Sequence, residues 1–141
     1  MSTSIDGEGL YVLNIDETAN DNSKTFSCPS GARWLLLWIW IELNTSGDVG
    51  NRLITLRLRD TGDDIIYGCR APTVTAGSSA ELTYAPNLTR ETALTSGSAF
   101  LPIPSKTILP ENYDYTVGDE ANISATDDMI IQSPVMEWVQ D

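Results

Sequence analysis

Histidine is absent from all 141 residues, and that gap removes much chemistry. Without imidazole there is no Ser-His-Asp or Cys-His nucleophile, and the commonest zinc ligand is missing. Only two cysteines occur, Cys28 and Cys69, and their spacing fits no metal or redox motif. They are expected as two buried, unbridged thiols in a reducing compartment. Basic residues are scarce, 8 against 20 acids, for a net charge of −12. Such a surface repels phosphate and argues against a nucleic-acid partner. Long apolar runs are missing too. Trp34 to Ile41 falls far short of the roughly 20 residues that span a bilayer, so no membrane role is expected. The opening MSTSIDGEGL has no basic segment followed by an apolar one, so it does not read as a signal peptide. Neither GEG nor GDVG matches a phosphate-cradling glycine pattern.

What remains is a chain of one-domain length with the apolar content of an ordinary globular protein. Its acidity sits at the ends. Residues 33–106 carry seven acids and seven bases, whereas residues 107–141 carry eight acids and no base. The central stretch Arg33 to Arg59 organises the rest. RWLLLWIWIEL and RLITLRLR flank the polar loop NTSGDVGN, as in a β-hairpin or a pair of packed neighbours. Read as one strand, the first run puts Leu35, Leu37, Ile39, Ile41 and Leu43 on a core face. Trp34, Leu36, Trp38, Trp40 and Glu42 then form an aromatic platform on the other. Matching the apolar faces sets Ile41 opposite Leu56 and Ile39 opposite Leu58. The same register stacks Trp40 on Arg57 and Trp38 on Arg59.

Further short strands are expected at Leu10–Ile15, Lys24–Cys28, Asp64–Cys69, Ala80–Ala85, Tyr113–Val117, Glu120–Ala125 and Met129–Val139, the last broken at Ser133-Pro134. Prolines 102, 104 and 110 place their section along a sheet margin. Asn87 to Leu94 is the one helix candidate, with Asn87 as its cap. Nine or so β candidates with almost no helix predict an all-β antiparallel sandwich or barrel. Residues 1–28 read as an acidic N-terminal arm with one short strand, and 29–141 as the sandwich domain. The loop DETANDNS lacks EF-hand spacing and its central glycine, and reads as a solvated loop. The carboxylates Asp119, Glu120, Asp127 and Asp128 read as loop and turn residues rather than a glycosidase pair. No catalytic, cofactor-binding or metal-ligating residue is assigned.

The segment GARWLLLWIWIELNTSGDVGNRLITLRLRD resembles one found in small virion structural proteins of tailed bacteriophages. Its loop residues Thr45, Ser46, Val49, Gly50, Asn51 and Arg52, with Asp60 closing the second run, carry the likeness. LPIPSKTILPENYDYTV and the ending PVMEWV are similar to the Leu-Pro-rich stretch and terminal Glu-Trp of such proteins. Glu111-Asn112 departs from the Gly-Trp or Gly-Asp usual after the second Leu-Pro. The resemblance covers about residues 31–139 and implies a β-sandwich of jelly-roll type that builds a phage particle.

Because −12 disfavours contact with packaged genome, the expected role is a decoration or cement protein on the outer surface of the phage head, made in the host bacterial cytoplasm. Its expected partners are the major capsid protein and copies of itself, with a trimer favoured among cyclic oligomers. The expected interface residues are Trp34, Trp38, Trp40, Arg57 and Arg59, with Leu10 and Val12 of an arm that crosses to a neighbour. A carbohydrate-binding module using the Trp platform and a head–tail adaptor are the alternatives, and an enzyme is not expected.

Overall fold

A regular strand buries every second side chain, so residues three apart face opposite ways. Yet Leu36 and Ile39 are both buried, at 1% and 0% exposure. The computed structural model, which describes residues 9–18 and 20–139, shows how. Its strands are β1 (Leu10–Asp16), β2 (Lys24–Ser27), β3 (Ala32–Leu36), β4 (Ile39–Asn44), β5 (Ile54–Arg59) and β6 (Ile65–Arg70). β7 (Ser79–Pro86), β8 (Ser98–Ile103), β9 (Ile108–Leu109), β10 (Asp114–Asp119) and β11 (Asp128–Val139) follow. They form a seven-stranded sheet of β1, β3, β4, β7, β8, β9 and β11, and a four-stranded sheet in the order β2-β10-β5-β6. No helix occurs among the described residues. The apolar sides of the two sheets form one core, so the protein is an all-β sandwich.

β11 is the spine of the larger sheet. β1 pairs with it over residues 131–137, so β4 and β3 must share its other edge, β4 over 128–132 and β3 over 135–139. Val135 faces Leu36 and Gln132 faces Trp40. Three residues, Leu37, Trp38 and Ile39, therefore oppose only Ser133 and Pro134. One extra residue in one strand is a β-bulge, and it reverses which side chains point inward. Its backbone is satisfied locally. The Leu37 N–H donates to the Pro134 carbonyl at 3.3 Å, and Ser133 Oγ donates to the Trp38 carbonyl at 3.0 Å.

The bulge corrects the expected alternation. Trp34 and Leu36 are core, at 4% and 1% exposure, while Leu35 and Leu37 lie half-buried on the outer side. The interruption also sits in the Trp-rich run rather than in β11, which continues through Ser133-Pro134.

Of the hairpin and the packed pair, the structure takes the second, and the side-by-side register expected of the two runs is corrected. β4 and β5 lie in different sheets, and residues 45–53 cross between them. Ile41 pairs with Ile131 and Leu82, and Leu56 with Val117 and Cys69. Two strands that are each apolar on one face can meet side by side or face to face. The crossing loop selects the second, which leaves the Trp-Arg stacks unmade and sends Trp40 and Arg57 to opposite outer surfaces.

A polar pin joins the sheets. Asn14 Nδ2 donates to the Tyr115 hydroxyl (2.9 Å), which donates to Ser133 Oγ (2.8 Å), which holds the bulge carbonyl. Burial pushes the Tyr115 hydroxyl up to about 12, so it remains a donor at neutral pH. Tyr115 also meets Trp34 edge-on at 6.2 Å and Phe26 at 5.5 Å.

The stretch expected as an arm supplies a strand to each sheet: β1 adds to β11 of its own chain, and β2 to β10. Residues 1–8 lie outside the described residues. Asn87 to Leu94 forms no helix. Asn87 has φ 65°, left-handed rather than the β-region of a helix cap, and the segment instead links β7 to β8, which pair in parallel. Glu120 to Ala125 is loop, not strand. Cys28 and Cys69 are buried and free, and burial pushes the Cys28 thiol up to about 11.

If the bulge sets the facing, Trp34→Ala should lose about 3–5 kcal/mol of stability in urea melts, as for a core aromatic. Trp38→Ala should lose about 1 kcal/mol or less. Equal losses at the two positions would contradict the re-phasing.

Candidate functional site

The pairings fix which side chains share the outer face of the larger sheet. One row reads Tyr11, Met136, Leu35, Ile108 across β1, β11, β3 and β9. The next holds Leu13 beside Pro134, with Leu37 bonded to it and Trp38 adjacent in the bulge. A third row reads Ile15, Gln132, Trp40, Thr83, Phe100. The apolar band thus runs from one edge of the sheet to the other. Tyr11 is 62% exposed, Phe100 49% and Leu13 46%. A contiguous apolar area of this extent is unusual on a lone chain.

Charge marks one end of the band. The row beyond Trp40 reads Ile130, Glu42, Glu81, Ser98, so two carboxylates stand directly opposite on β4 and β7. Like charges in that position are destabilising. Asn44 Nδ2 donates to Glu42 at 3.2 Å, and no cation is bonded to either carboxylate among the described residues. They line a depression with Asn44, Ser79 and Ser98. A second depression, level with the bulge, is lined by Leu35, Leu37, Pro86, Ser105 and the exposed Lys106.

The outer face of the smaller sheet is built differently. Arg59 makes a two-pronged contact with Asp114 at 2.8 and 3.0 Å. Glu120 takes Arg57 on one oxygen and Arg70 on the other. Thr25 donates to Thr116 across β2 and β10 at 2.9 Å. These groups answer one another within the chain, and the exposed apolar side chains of this sheet, Ile65 and Ile66, are confined to its β6 edge.

The expected interface residues therefore separate. Trp38 and Trp40 lie on the apolar face, and Leu10 is exposed on β1 while Val12 points half-buried toward the core. Trp34 is core, its Nε1 donating to Glu137 at 2.8 Å. Arg57 and Arg59 belong to the other sheet. Tyr11, Leu13, Ile15, Leu35, Leu37 and Phe100 were not read as part of the face. LYVLNID does carry a signal, since apolar residues at both parities leave some exposed whichever side turns inward.

The acidic loops serve the chain itself. In DETANDNS, the Lys24 ammonium, 2% exposed, donates to the Thr18 carbonyl (2.9 Å) and Asn20 Oδ1 (2.8 Å), with Asp16 at 3.7 Å. The loop's oxygens thus surround a lysine. Asp119, Glu120, Asp127 and Asp128 do not converge as an acid–base pair. Asp119 accepts the Leu53 and Ala121 N–H groups, and Glu120 takes its two arginines. Asp127 grips the fully buried Arg52 at 2.7 and 3.0 Å. Arg52 also donates to the carbonyls of Asp48 (2.9 Å) and Gly50 (2.6 Å), so one guanidinium closes the crossing loop.

No protein-family model matches the chain, and no curated protein matches it. Among solved structures, a chain in the structure of infectious bursal disease virus Gx strain overlaps 96% of this one at 9% identity, with a TM-score of 0.33. This protein spans 34% of the length of that chain. An overlap at that score carries no argument about fold or function.

Burial pushes the Asp127 carboxyl up, but hydrogen bonds from Arg52 and the Ser46 N–H outweigh it and hold the group below the usual carboxylate range. A lowered folded pKa gives stability that is complete above the unfolded value, about 3.9, and is lost as pH falls through the folded one. Asp127→Asn should cost about 3–5 kcal/mol at neutral pH by stranding the buried guanidinium, and should flatten the acid limb of stability. Urea melts across the acid range check both, and an unchanged acid limb would refute the assignment.

Proposed function

We propose that the protein is a non-catalytic structural component of a tailed-phage virion, a jelly-roll-type sandwich that decorates or cements the outer surface of the head. Its partners in this reading are the major capsid protein and copies of itself. The observation that carries it is the apolar outer face of the larger sheet, left uncovered by the described residues, while ion pairs tie the opposite face together. A surface of that kind is suited to permanent burial against protein, which is what a shell-clamping subunit needs. The resemblance of residues 31–139 to small virion proteins supplies the particle. The net charge of −12 favours the outside of the shell over its genome-facing side. The carbohydrate-binding alternative is weakened, because Trp34 is withdrawn into the core and the aromatic platform is reduced by one.

Copy number in purified particles tests the reading. A decoration protein should be present on the order of hundreds of copies, whereas a head–tail adaptor or appendage protein follows the low-order symmetry of its ring. Trp40→Ala should weaken attachment to particles, measured by co-sedimentation, more than it lowers the melting temperature. A variant that attaches normally but melts far earlier would make Trp40 a core residue and remove the main support.

A further inference from the structure

We infer that the free edge of β1 pairs with the β1 of a second copy, antiparallel about a two-fold axis at Leu13, so that the larger sheets of two molecules join into one. The other margins of the sandwich are guarded. β2 is four residues long and β9 two. β8 carries Pro102, and Glu91 answers the backbone of Phe100 there. The Glu91 N–H donates to the Phe100 carbonyl at 3.1 Å, and its Oε1 accepts the Phe100 N–H at 2.6 Å. β6 is bulged, since Leu58 faces Tyr67 and Arg59 faces Ile65, and Arg90 donates to its Arg70 carbonyl at 3.1 Å. β1 has no such device. Its seven residues run against β11 without a shift in register and contain no proline or lysine. Among the described residues their backbone bonds to no strand or loop but β11. A long, flat, apolar edge of this kind is a template for another strand.

The side chains of β1 fit a copy of themselves. Residues directly opposite in an antiparallel pair point to the same face, so a two-fold axis must pass through a residue, not between two. Centring it on Leu13 opposes all seven residues of the strand, and any other centre opposes fewer. Tyr11 then meets the Ile15 of the other copy, and Leu13 meets its counterpart. The outer side of the joint is thus wholly apolar, with aromatic and β-branched residues opposed, a favourable cross-strand pairing. On the inward side Val12 meets Asn14, and Leu10, 64% exposed in the single chain, gains cover. The one acidic residue of the strand, Asp16, has Lys24 of its own chain at 3.7 Å. Its two copies lie about 20 Å apart along the ladder, well beyond the ~8 Å screening length at physiological salt. A chain of net charge −12 can therefore pair here without opposing its carboxylates. The ladder supplies about six to eight backbone hydrogen bonds, as many as a specific interface carries. This inference does not rest on the virion reading, since edge pairing is a property of the free protein and leaves the apolar outer face open.

Sedimentation of the purified full chain over a range of concentrations tests it. The natural sequence should sediment as a dimer that dissociates on dilution, and hydrogen exchange of the β1 amides should slow as concentration rises. Leu13→Lys and Leu13→Glu each set like charges opposite one another at the axis, and each should dimerise about tenfold or more weakly. An equimolar mixture of the two should recover the dimer, opposite charges then facing at the axis. Leu35→Lys puts the same charge on the same outer face but on β3, away from the edge, and should leave dimerisation unchanged. Leu13→Cys should cross-link under mild oxidation, because opposed Cα atoms lie within the ~4.4–6.8 Å that a disulfide spans. The natural chain, with Cys28 and Cys69 buried, should not. A monomer at all concentrations would overturn the inference, as would a trimer, a mixture that fails to recover, or a dimer lost with Leu35→Lys and kept with the Leu13 variants. A monomer that still binds particles in high copy number would remove the pairing and leave the virion reading standing, and a dimer that binds none would do the reverse.

Discussion

One extra residue in the strand beside β11 decides the arrangement of the molecule. Opposite Ser133-Pro134, Leu37 to Ile39 occupies the space of two residues, and the parity of the strand reverses there. On one side of the reversal Trp34 and Leu36 fill the core; on the other Ile39, Ile41 and Leu43 do. Leu35 and Leu37, turned outward by the reversal, and Trp40, outward by the alternation beyond it, supply the middle of the apolar face. Core and candidate interface are therefore two consequences of one irregularity. The bulge persists because its polar groups are answered: Pro134 has no N–H to leave unpaired, and Ser133 binds the Trp38 carbonyl from within the core. Through Tyr115 and Asn14 the same chain of hydrogen bonds ties that point to the opposite sheet, in surroundings where unmade bonds are costly.

The charges follow a comparable division of labour. Of the few basic residues, Lys24 and Arg52 are buried and hold loops closed at the edge of the sandwich, Lys24 among oxygens of nearby sequence and Arg52 between its own loop and the distant Asp127. Arg57, Arg59 and Arg70 are spent on carboxylates over the smaller sheet. Among the described residues, no cation is bonded to Glu42 or Glu81 on the larger one. A buried pair such as Arg52–Asp127 is weak evidence of net stability. Its geometric effect is clear, because six hydrogen bonds to the protein require residues 46–52 to curl around the guanidinium. That curl carries the chain from one sheet to the other.

The two outer surfaces are consequently unlike. Over the smaller sheet, polar and charged side chains answer one another and water completes them. Over the larger, apolar side chains from β1, β11, β3, β4 and β8 lie in register, with nothing from the described residues above them.

The sequence by itself determined the class of the protein. Short alternating runs punctuated by glycine and proline could only make strands, and β1, β2, β6, β7, β10 and β11 lie close to where that pattern placed them. It also determined that Trp38 and Trp40 would stand outside a core of Ile39, Ile41, Ile54, Leu56 and Leu58, because alternation within each short strand is local. What lay beyond it was whatever depends on how distant strands meet. RWLLLWIWIEL is apolar at both parities, so it held no local mark of the reversal; the position of the bulge is set by Ser133-Pro134, about a hundred residues away. NTSGDVGN reads as a hairpin turn until Asp127, far along the chain, captures Arg52 and turns it into a crossing. Local periodicity reports which side chains need burial, and only the tertiary pairing decides against what, because register and sheet membership are chosen by partners that are remote in sequence.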